Sequence, residues 1–352
     1  MDKTISGISL FSNVGIDEFY LKDAGIKIKI ANEIEPQRAK FYSDIYTNVK
    51  MLCGDINDEN IFNSLIKYYK EFNCEFLIAT PPCQGMSVAG KMDKDDPRNT
   101  LIKKVIDLIK IVEPKNILIE NVPQIFNFSI KIKNETVNIF DYIKNELLPL
   151  GYFINAGVLD SADYNTPQFR KRAIFLISKI EKWNFPEKQK HITVREAISD
   201  LPSLESGEIS KIKHHYAKKH NPNHILWMKN TPTGKTALEN TKFYPNKEGR
   251  KIKGFATTYK RIDWDRPAPT ITMCNGSISS QNNVHPGRKQ KDSTYSDARV
   301  LTILELLRLT GLPDDYPIPI WASDNLIRKV IGEAFPPKFC LEILKKMPKN
   351  DK

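Results

Sequence analysis

Apolar positions in the first half of the chain fall into short runs separated by longer amphipathic stretches. Ile5 to Phe11 and Ile26 to Ala31 have strand character, and Glu75 to Thr80 and Asn116 to Val122 are compact apolar runs of strand length. Between the latter two, Leu101, Val105, Leu108, Ile109 and Val112 recur at helical spacing. Asp17 is positioned to cap a helix running to Ala24, and Pro36 suits the first turn of another. Strands alternating with helices predict a parallel sheet covered on both faces from residue 1 to about residue 180. Such doubly wound α/β domains bind ligands at the carboxyl ends of their strands. The pattern breaks near Ser178. From there to about Val300 the chain is irregular and turn-rich, with short β-like pieces such as Thr270 to Cys274. Helical periodicity returns at Leu301 to Leu309, and a last helix is expected after Pro337.

The 352 residues suffice for one large domain and a smaller one. No apolar run approaches the ~20 residues that span a bilayer. Met1 to Leu10 carries no export signal, so a cytoplasmic protein is expected. The cysteines, Cys53, Cys74, Cys83, Cys274 and Cys340, are odd in number and form no CxxC pair. That argues against a disulfide framework or a structural zinc site and fits a reducing compartment. Net charge is +11, and between Glu181 and Val300 there are 22 Lys and Arg against 12 Asp and Glu. The positive charge is thus concentrated in the irregular segment. Such a block suits a polyanion, although a solvated lysine-rich surface would look the same. All six histidines lie in this segment, including His214, His215, His220 and His224. With no Cys partner or HExxH pattern they read as surface or nucleic-acid-facing groups, and no metal is expected.

Candidate chemistry gathers at the predicted strand ends. Thr80-Pro81-Pro82-Cys83-Gln84-Gly85 places a cysteine on a stiff loop after a strand, and Arg98 supplies a cation before the next helix. For Cys83 alone, a cysteine in a turn is the plainer reading. Glu120, at the end of the next apolar run, faces the same crevice, where a half-buried carboxyl can donate a proton to a ring nitrogen. In Gln168-Phe169-Arg170-Lys171-Arg172, strand alternation would put Arg170 and Arg172 on one face, able to hold a carboxylate and a phosphate. A basic edge strand is the alternative there.

Together these segments resemble the DNA (cytosine-5)-methyltransferase family, in the family's order and over nearly the whole chain. Pro81-Pro82-Cys83-Gln84-Gly85 resembles its nucleophile motif, Glu120-Asn121-Val122 its carboxylate motif, and Gln168, Arg170 and Arg172 its Gln-x-Arg-x-Arg motif. Arg299 to Glu305, with Leu309 to Pro313, looks like the penultimate motif, and Gly332 to Pro337 like the last. The basic segment falls where the family carries its target-recognition domain. Phe11-Ser12-Asn13-Val14-Gly15 departs from the family's Phe-x-Gly-x-Gly, with Asn13 in place of a glycine and Ser9 where an acidic residue is common. Asn tolerates the positive φ of such a turn. Glu333 occupies a position that is usually Asn.

The resemblance implies a Rossmann-like, mostly parallel, doubly wound domain of residues 1–180 plus 322–352, and a smaller, irregular, β-rich DNA-recognition domain of residues 181–321. It implies methyl transfer from S-adenosyl-L-methionine to C5 of a flipped cytosine. Cys83 would add to C6, Glu120 would act on N3, Arg172 would hold Glu120, and Arg170 would serve the phosphate backbone. Phe11 would contact the adenine, Glu33 the ribose hydroxyls and Asp55 the adenine amino group. Ser12, Asn13, Gly15, Ile34, Ile56, Pro82, Leu101 and Glu333 would complete the cofactor site. Gln84, Ser87, Arg98, Thr270 and Ile271 would meet the DNA. The expected partner is double-stranded DNA, with a cognate restriction endonuclease related in function rather than as a stable complex. No membrane association is expected, and the default is a monomer in the bacterial cytosol. One rival is a tRNA cytosine-5 methyltransferase of the same family, whose Cys-Phe-Thr signature is missing here. The other is a catalytically silent DNA-binding relative, for which the intact Cys83, Glu120, Arg170 and Arg172 would be superfluous.

Overall fold

The structure is a computed structural model describing residues 4–82, 101–132 and 135–349. The chain divides into two compact units, Met1–Asp160 with Lys171–Glu187 and Phe339–Lys352, and Ser161–Arg170 with Lys188–Lys338. The boundaries expected from sequence, 180/181 and 321/322, fall at other places.

The first unit is built on a seven-stranded sheet. Its strands are β1 (Ile5–Leu10), β2 (Ile26–Glu33), β3 (Lys50–Cys53), β4 (Phe76–Ala79), β5 (Asn116–Asn121), β8 (Phe153–Asp160) and β9 (Lys171–Ser178), in the order β3-β2-β1-β4-β5-β9-β8. A hairpin of β6 (Ser129–Ile132) and β7 (Glu135–Asn138) stands apart from it. Every pairing from β3 to β5 is parallel, and β9 runs antiparallel to both its neighbours. All residues of β4 and β5 are buried, as expected for continuous apolar strands covered on both faces. The helices are α1 (Pro36–Ile45), α2 (Glu59–Glu71), α3 (Leu101–Val112) and α4 (Ile139–Leu147). Asp58 and Asn138 cap α2 and α4 by accepting backbone N–H bonds, and α3 buries Leu101, Val105, Leu108 and Ile109 at the predicted spacing. From β1 the chain builds outward through β2 and β3 on one side and returns to β4 and β5 on the other. The crevice at that reversal is the usual ligand site of such sheets.

No α-helix forms over Asp17–Ala24. The segment makes three-residue bonds, Glu18 N to Gly15 O and Leu21 N to Glu18 O among them, and ends in a 3-10 turn, Leu21–Ala24, closed by Gly25 at φ 77°. The reason lies in the carboxylates. Asp17 is buried rather than capping from the surface, and Glu18 is buried against the Tyr42 hydroxyl at 2.5 Å. Burial pushes the Glu18 carboxyl up to about 7.

The second unit has little regular structure: α5 (Val194–Ile198), α6 (Pro222–Lys229), the small hairpin β10 (Asn246–Lys247) and β11 (Arg250–Lys251), α7 (Ile303–Thr310) and α8 (Asp324–Glu333). The last helix, α9 (Pro337–Leu344), begins at the expected proline. The strand predicted over Thr270–Cys274 does not form, because the Ile271 amide and carbonyl are bonded to the side chains of Gln168 and Arg170 instead of a neighbouring strand. Beside a cluster of Trp227, Met228, Ile278, Val284 and Val300, this unit has a charged interior. Arg299, fully buried, donates to both oxygens of Glu305 at 2.8 and 2.9 Å and to Asp297 at 2.9 Å. Glu305 also closes a capping box with Thr302 at the start of α7.

Three of the histidines correct the surface reading. His215 lies buried between the Thr302 hydroxyl and the Pro202 carbonyl. His285 is buried and accepts from the Gly287 amide, and His220 accepts from the Val300 amide. Burial pushes His285 down to about 3 and His220 to about 4, so both are neutral acceptors holding backbone. Among the described residues no His, Cys, Asp and Glu group could hold a metal ion, and no helix is long and apolar enough to cross a membrane.

Candidate active site

The strand ends flanking the reversal point carry the candidate chemistry. After β1 the backbone turns through Phe11, Asn13 and Gly15 at φ 58°, 49° and 72°. Asn13 thus adopts the left-handed conformation that its replacement of a glycine demands. Its amide donates to Glu33 Oε2 at 2.9 Å, while Glu33 Oε1 accepts from the Glu35 amide at 2.8 Å. Burial raises the Glu33 carboxyl above its ordinary value. At Gly15 a Cβ would lie 2.4 Å from the Tyr46 ring and 2.8 Å from the Tyr42 ring, so only glycine fits. Phe11 is half-buried and Ser12 buried. Asp55, exposed after β3, accepts from the Asn57 amide. Ile56 and Leu101 are buried, and Ile34 is exposed. Glu333 is the final residue of α8, in the second unit.

Cys83, Gln84, Ser87 and Arg98 lie outside the described residues, but the approach to them is well defined. The Thr80 amide donates to Leu10 O, its hydroxyl to Phe11 O at 3.1 Å, and Asn121 Nδ2 to Pro81 O at 3.0 Å. The ends of β1, β4 and β5 are thereby tied together immediately before the Pro82-Cys83 step. Asn32 does the same for β2 and β3, donating to Leu52 O and Gly54 O. Sequence reasoning missed Thr80, Asn121 and Asn32 as positioning residues, although an amide or hydroxyl at the end of an apolar strand is a usable signal.

Glu120 and Arg172 form an ion pair, Nε to Oε1 2.6 Å, with side chains 11% and 13% exposed respectively. Sheet register explains it. Glu120 lies opposite Ile174 across the β5–β9 ladder, so Arg172, two residues along, is its diagonal neighbour on the same face. Of the two arginines only Arg172 lies within β9, so the strand alternation expected from sequence does not extend to Arg170. β9 begins only at Lys171, and Arg170 belongs to the second unit. There its guanidinium is buried and donates to Ile271 O at 2.9 Å and Gly332 O at 3.0 Å. Residues 167–170 pair instead with 268–271. Phe169 N bonds Ala268 O, the Thr270 hydroxyl bonds Phe169 O, and the Ile271 side chain is buried. Gly332 is required at this crossing, since a Cβ would lie 2.2 Å from Thr272 O.

The same unit presents a cationic surface. Lys242, Lys247, Arg250, Lys251 and Lys253 are exposed around the β10–β11 hairpin, and the Phe255 side chain beside them is 77% exposed. Its backbone is not loose, because Phe255 O accepts from both the amide and the hydroxyl of Thr258.

A nearly buried carboxylate–guanidinium pair, the tied ends of β1, β4 and β5, and the left-handed turn at Asn13 and Gly15 thus stand at the ends of the strands in the first unit. The family model for C-5 cytosine-specific DNA methylases matches residues 5–349. The chain belongs to that family. Among individual methylases it is 51% identical over 345 residues to the Type II methyltransferase M1.HgaI of Avibacterium volantium, covering 96% of each chain. It is 29% identical to the Type II methyltransferase M1.HphI of Haemophilus parahaemolyticus, covering 95% of this chain and 84% of that one. Solved structures with the same fold include a DNA modification methyltransferase encoded within an E. coli prophage, with TM-score 0.70, 21% identity, and 97% and 98% coverage. Another is the Entamoeba histolytica methyltransferase EhMeth, with TM-score 0.67, 16% identity and 98% coverage of both chains.

Proposed function

We propose that this cytosine-5 DNA methylase transfers a methyl group from S-adenosyl-L-methionine to C5 of a flipped cytosine in a short duplex site, through a covalent bond between Cys83 and C6. The observation that carries the reading is the Glu120–Arg172 pair beside the Pro81 carbonyl that Asn121 holds, two residues before Cys83.

The residues present suit a nucleoside-bearing cofactor. The Phe11–Gly15 turn leaves no side chain at Gly15, and carboxylates stand after adjacent strands at Glu33 and Asp55. Phe11 would pack on the adenine, Glu33 would bind the ribose hydroxyls and Asp55 the adenine amino group, with Ser12, Ile34, Ile56, Pro82 and Leu101 around them. When bound, the cofactor supplies an electrophilic methyl group on a sulfonium. The chain's own residues prepare the base. The Cys83 thiolate adds to C6, and the C5–C6 π electrons move into the ring. Glu120 donates a proton or hydrogen bond to N3, neutralising the charge that develops there. Arg172 holds the Glu120 carboxyl in its aim. C5 becomes a carbon nucleophile, and later loss of the C5 proton with expulsion of Cys83 restores aromaticity. Arg170, with its guanidinium on two backbone carbonyls, acts by fixing the 268–271 segment, so Thr270 can meet the backbone of the flipped nucleotide. The exposed cations of the second unit contact DNA phosphates. By analogy with its Type II relatives the enzyme serves a restriction–modification system, as a monomer, protecting DNA from a cognate endonuclease without forming a stable complex with it.

The test is methyl transfer from labelled S-adenosylmethionine to unmethylated DNA, with bulk tRNA and Cys83→Ala alongside. Label is expected in DNA as 5-methylcytosine within one short motif, and none in the variant. Label in tRNA alone would overturn the DNA substrate, and turnover by Cys83→Ala would overturn the covalent route.

A further inference from the structure

In the second unit a cleft of about 440 Å³ opens between the turn after Ile271 and the exposed face of α8. It is lined by Met273, Cys274, Gly276, Ser277 and Ser280 on one side and by Asn325, Arg328 and Lys329 on the other, with Lys218 across its mouth. The charges do not balance. Among the described residues, Lys218 and Arg328 share one carboxylate, Asp324, which takes Arg328 Nε at 2.9 Å and Lys218 Nζ at 3.1 Å, while Lys329 lines the same cleft. Arg328 is 2% exposed. Its Nη1 is spent on Leu301 O and Asn275, but its Nη2 is buried with no hydrogen-bond partner among the described residues. Arg328 thus shares its one counter-ion with Lys218 and keeps one buried donor unused, so the cleft carries more positive than negative charge at its wall.

The walls keep room for one. Asn275 donates to Thr272 O and Arg328 O, locking the turn onto α8. Gly276 follows, where a Cβ would come within 3.2 Å of Lys218 Nζ and 3.5 Å of Arg328 Cδ. Any side chain there would enter the space between the two cations. Ser277, Ser280 and Asn325 line the same cleft with neutral polar side chains of the kind that phosphate oxygens commonly meet.

We propose that this cleft is a phosphate-binding site taking one backbone phosphate of the DNA, held by Lys218, Lys329 and the underlying Arg328. The proposal rests on the methylase reading and deepens it. The cleft starts two residues after Thr270-Ile271, the pair assigned to the flipped nucleotide, so one stretch of chain follows the DNA backbone from the flipped base to its neighbour. A free phosphate would satisfy the same groups, and the experiment separates the two sources.

Lys218→Gln/Lys329→Gln removes two partly exposed charges and leaves Arg328 paired to Asp324, so the fold should persist, as a melting curve will report. DNA affinity is measured for wild type and variant across salt concentration, alongside methylation at saturating DNA. The variant is expected to bind on the order of tenfold more weakly. Its log Kd against log salt slope should fall by about 0.9, one phosphate's worth, with kcat and the modified motif unchanged. An unchanged slope and affinity would overturn the site. Inorganic phosphate titrated into DNA-free protein is the second arm. Tight binding that the variant loses, with its DNA slope intact, would give the cleft to a free phosphate and overturn the DNA assignment. A wild type that neither binds nor methylates DNA would instead overturn the methylase reading itself.

Discussion

The Glu120–Arg172 pair admits a quantitative test. At 2.6 Å and an effective dielectric of about 20, the Coulomb attraction is roughly 6 kcal/mol before desolvation. Loss of hydration by two nearly buried ions offsets most of it. Arg172→Met keeps the volume and removes the charge, leaving Glu120 about one-tenth exposed without the cation held against it. Breaking a fully buried pair costs about 3–5 kcal/mol, and the residual exposure lowers the expectation to about 2–3 kcal/mol. That corresponds to a Tm drop of roughly 3–4 °C for a chain of this size. Glu120→Gln should cost less, about 1–2 kcal/mol, because Arg172 Nη1 keeps the Lys171 carbonyl at 2.7 Å. The double variant should recover about 1–2 kcal/mol of the summed loss. Catalysis gives the sharper result. If Arg172 acts by holding Glu120, each single variant loses roughly 100-fold or more in single-turnover methylation, and the double variant is no slower than the worse single. Multiplying losses would refute the reasoning, since Arg172 would then act on the substrate independently of Glu120.

Acid should loosen the protein through its buried histidines. His285 and His220 are pushed to about 3 and about 4 from 6.5, mainly by burial, so below pH 6.5 the unfolded chain binds protons that the native chain refuses. In a Glu18→Gln background, which removes the opposing titration of that carboxyl, denaturant melts should therefore lose on the order of 2–3 kcal/mol between pH 7 and pH 5, with the share of His220 discounted for its partial exposure; flat stability there would contradict the neutral-acceptor roles. Glu18 has the opposite sign. Its carboxyl, lifted to about 7 from 4.5, keeps a proton in the fold and subtracts stability as pH rises through that window. Glu18→Gln should thus gain about 2–3 kcal/mol at pH 8 and almost nothing at pH 4.5, with an equal gain at both excluding the proton account. Gly332→Ala should cost about 1–3 kcal/mol, because Thr272 O stands 2.2 Å from the new Cβ, and a neutral effect would refute the close approach of α8 to Thr272.

How far the sequence reached depended on whether a residue's partners were local. β4 and β5 announce themselves because an unbroken apolar run has no alternative but a covered strand, and Thr302 with Glu305 marks the start of α7 by a bond spanning three residues. Glu120 was legible for the same reason, as a lone carboxylate ending such a run. The failures all turn on distant partners. Arg170 and Arg172 share a spacing that fits one strand, yet β9 begins at Lys171, the Phe169 amide bonds Ala268, and the Arg170 guanidinium bonds Ile271 and Gly332. Nothing within ten residues of Arg170 encodes that. His285 reads as surface among Asn, Gly, Arg and Lys, and becomes interior only because Arg299 brings Asp297 and Glu305 beside it. Asp17 scores as a helix cap on local grounds, and loses that role to burial with Glu18 beneath Tyr42, more than twenty residues away. Motif resemblance crosses these distances where periodicity does not. It names the residue at each motif position, but not what holds it. Arg170 shows the cost of that gap: a guanidinium expected on phosphate is instead bonded to two carbonyls, while Arg328, which no motif singles out, keeps a donor unused among the described residues, in a cleft it shares with two lysines.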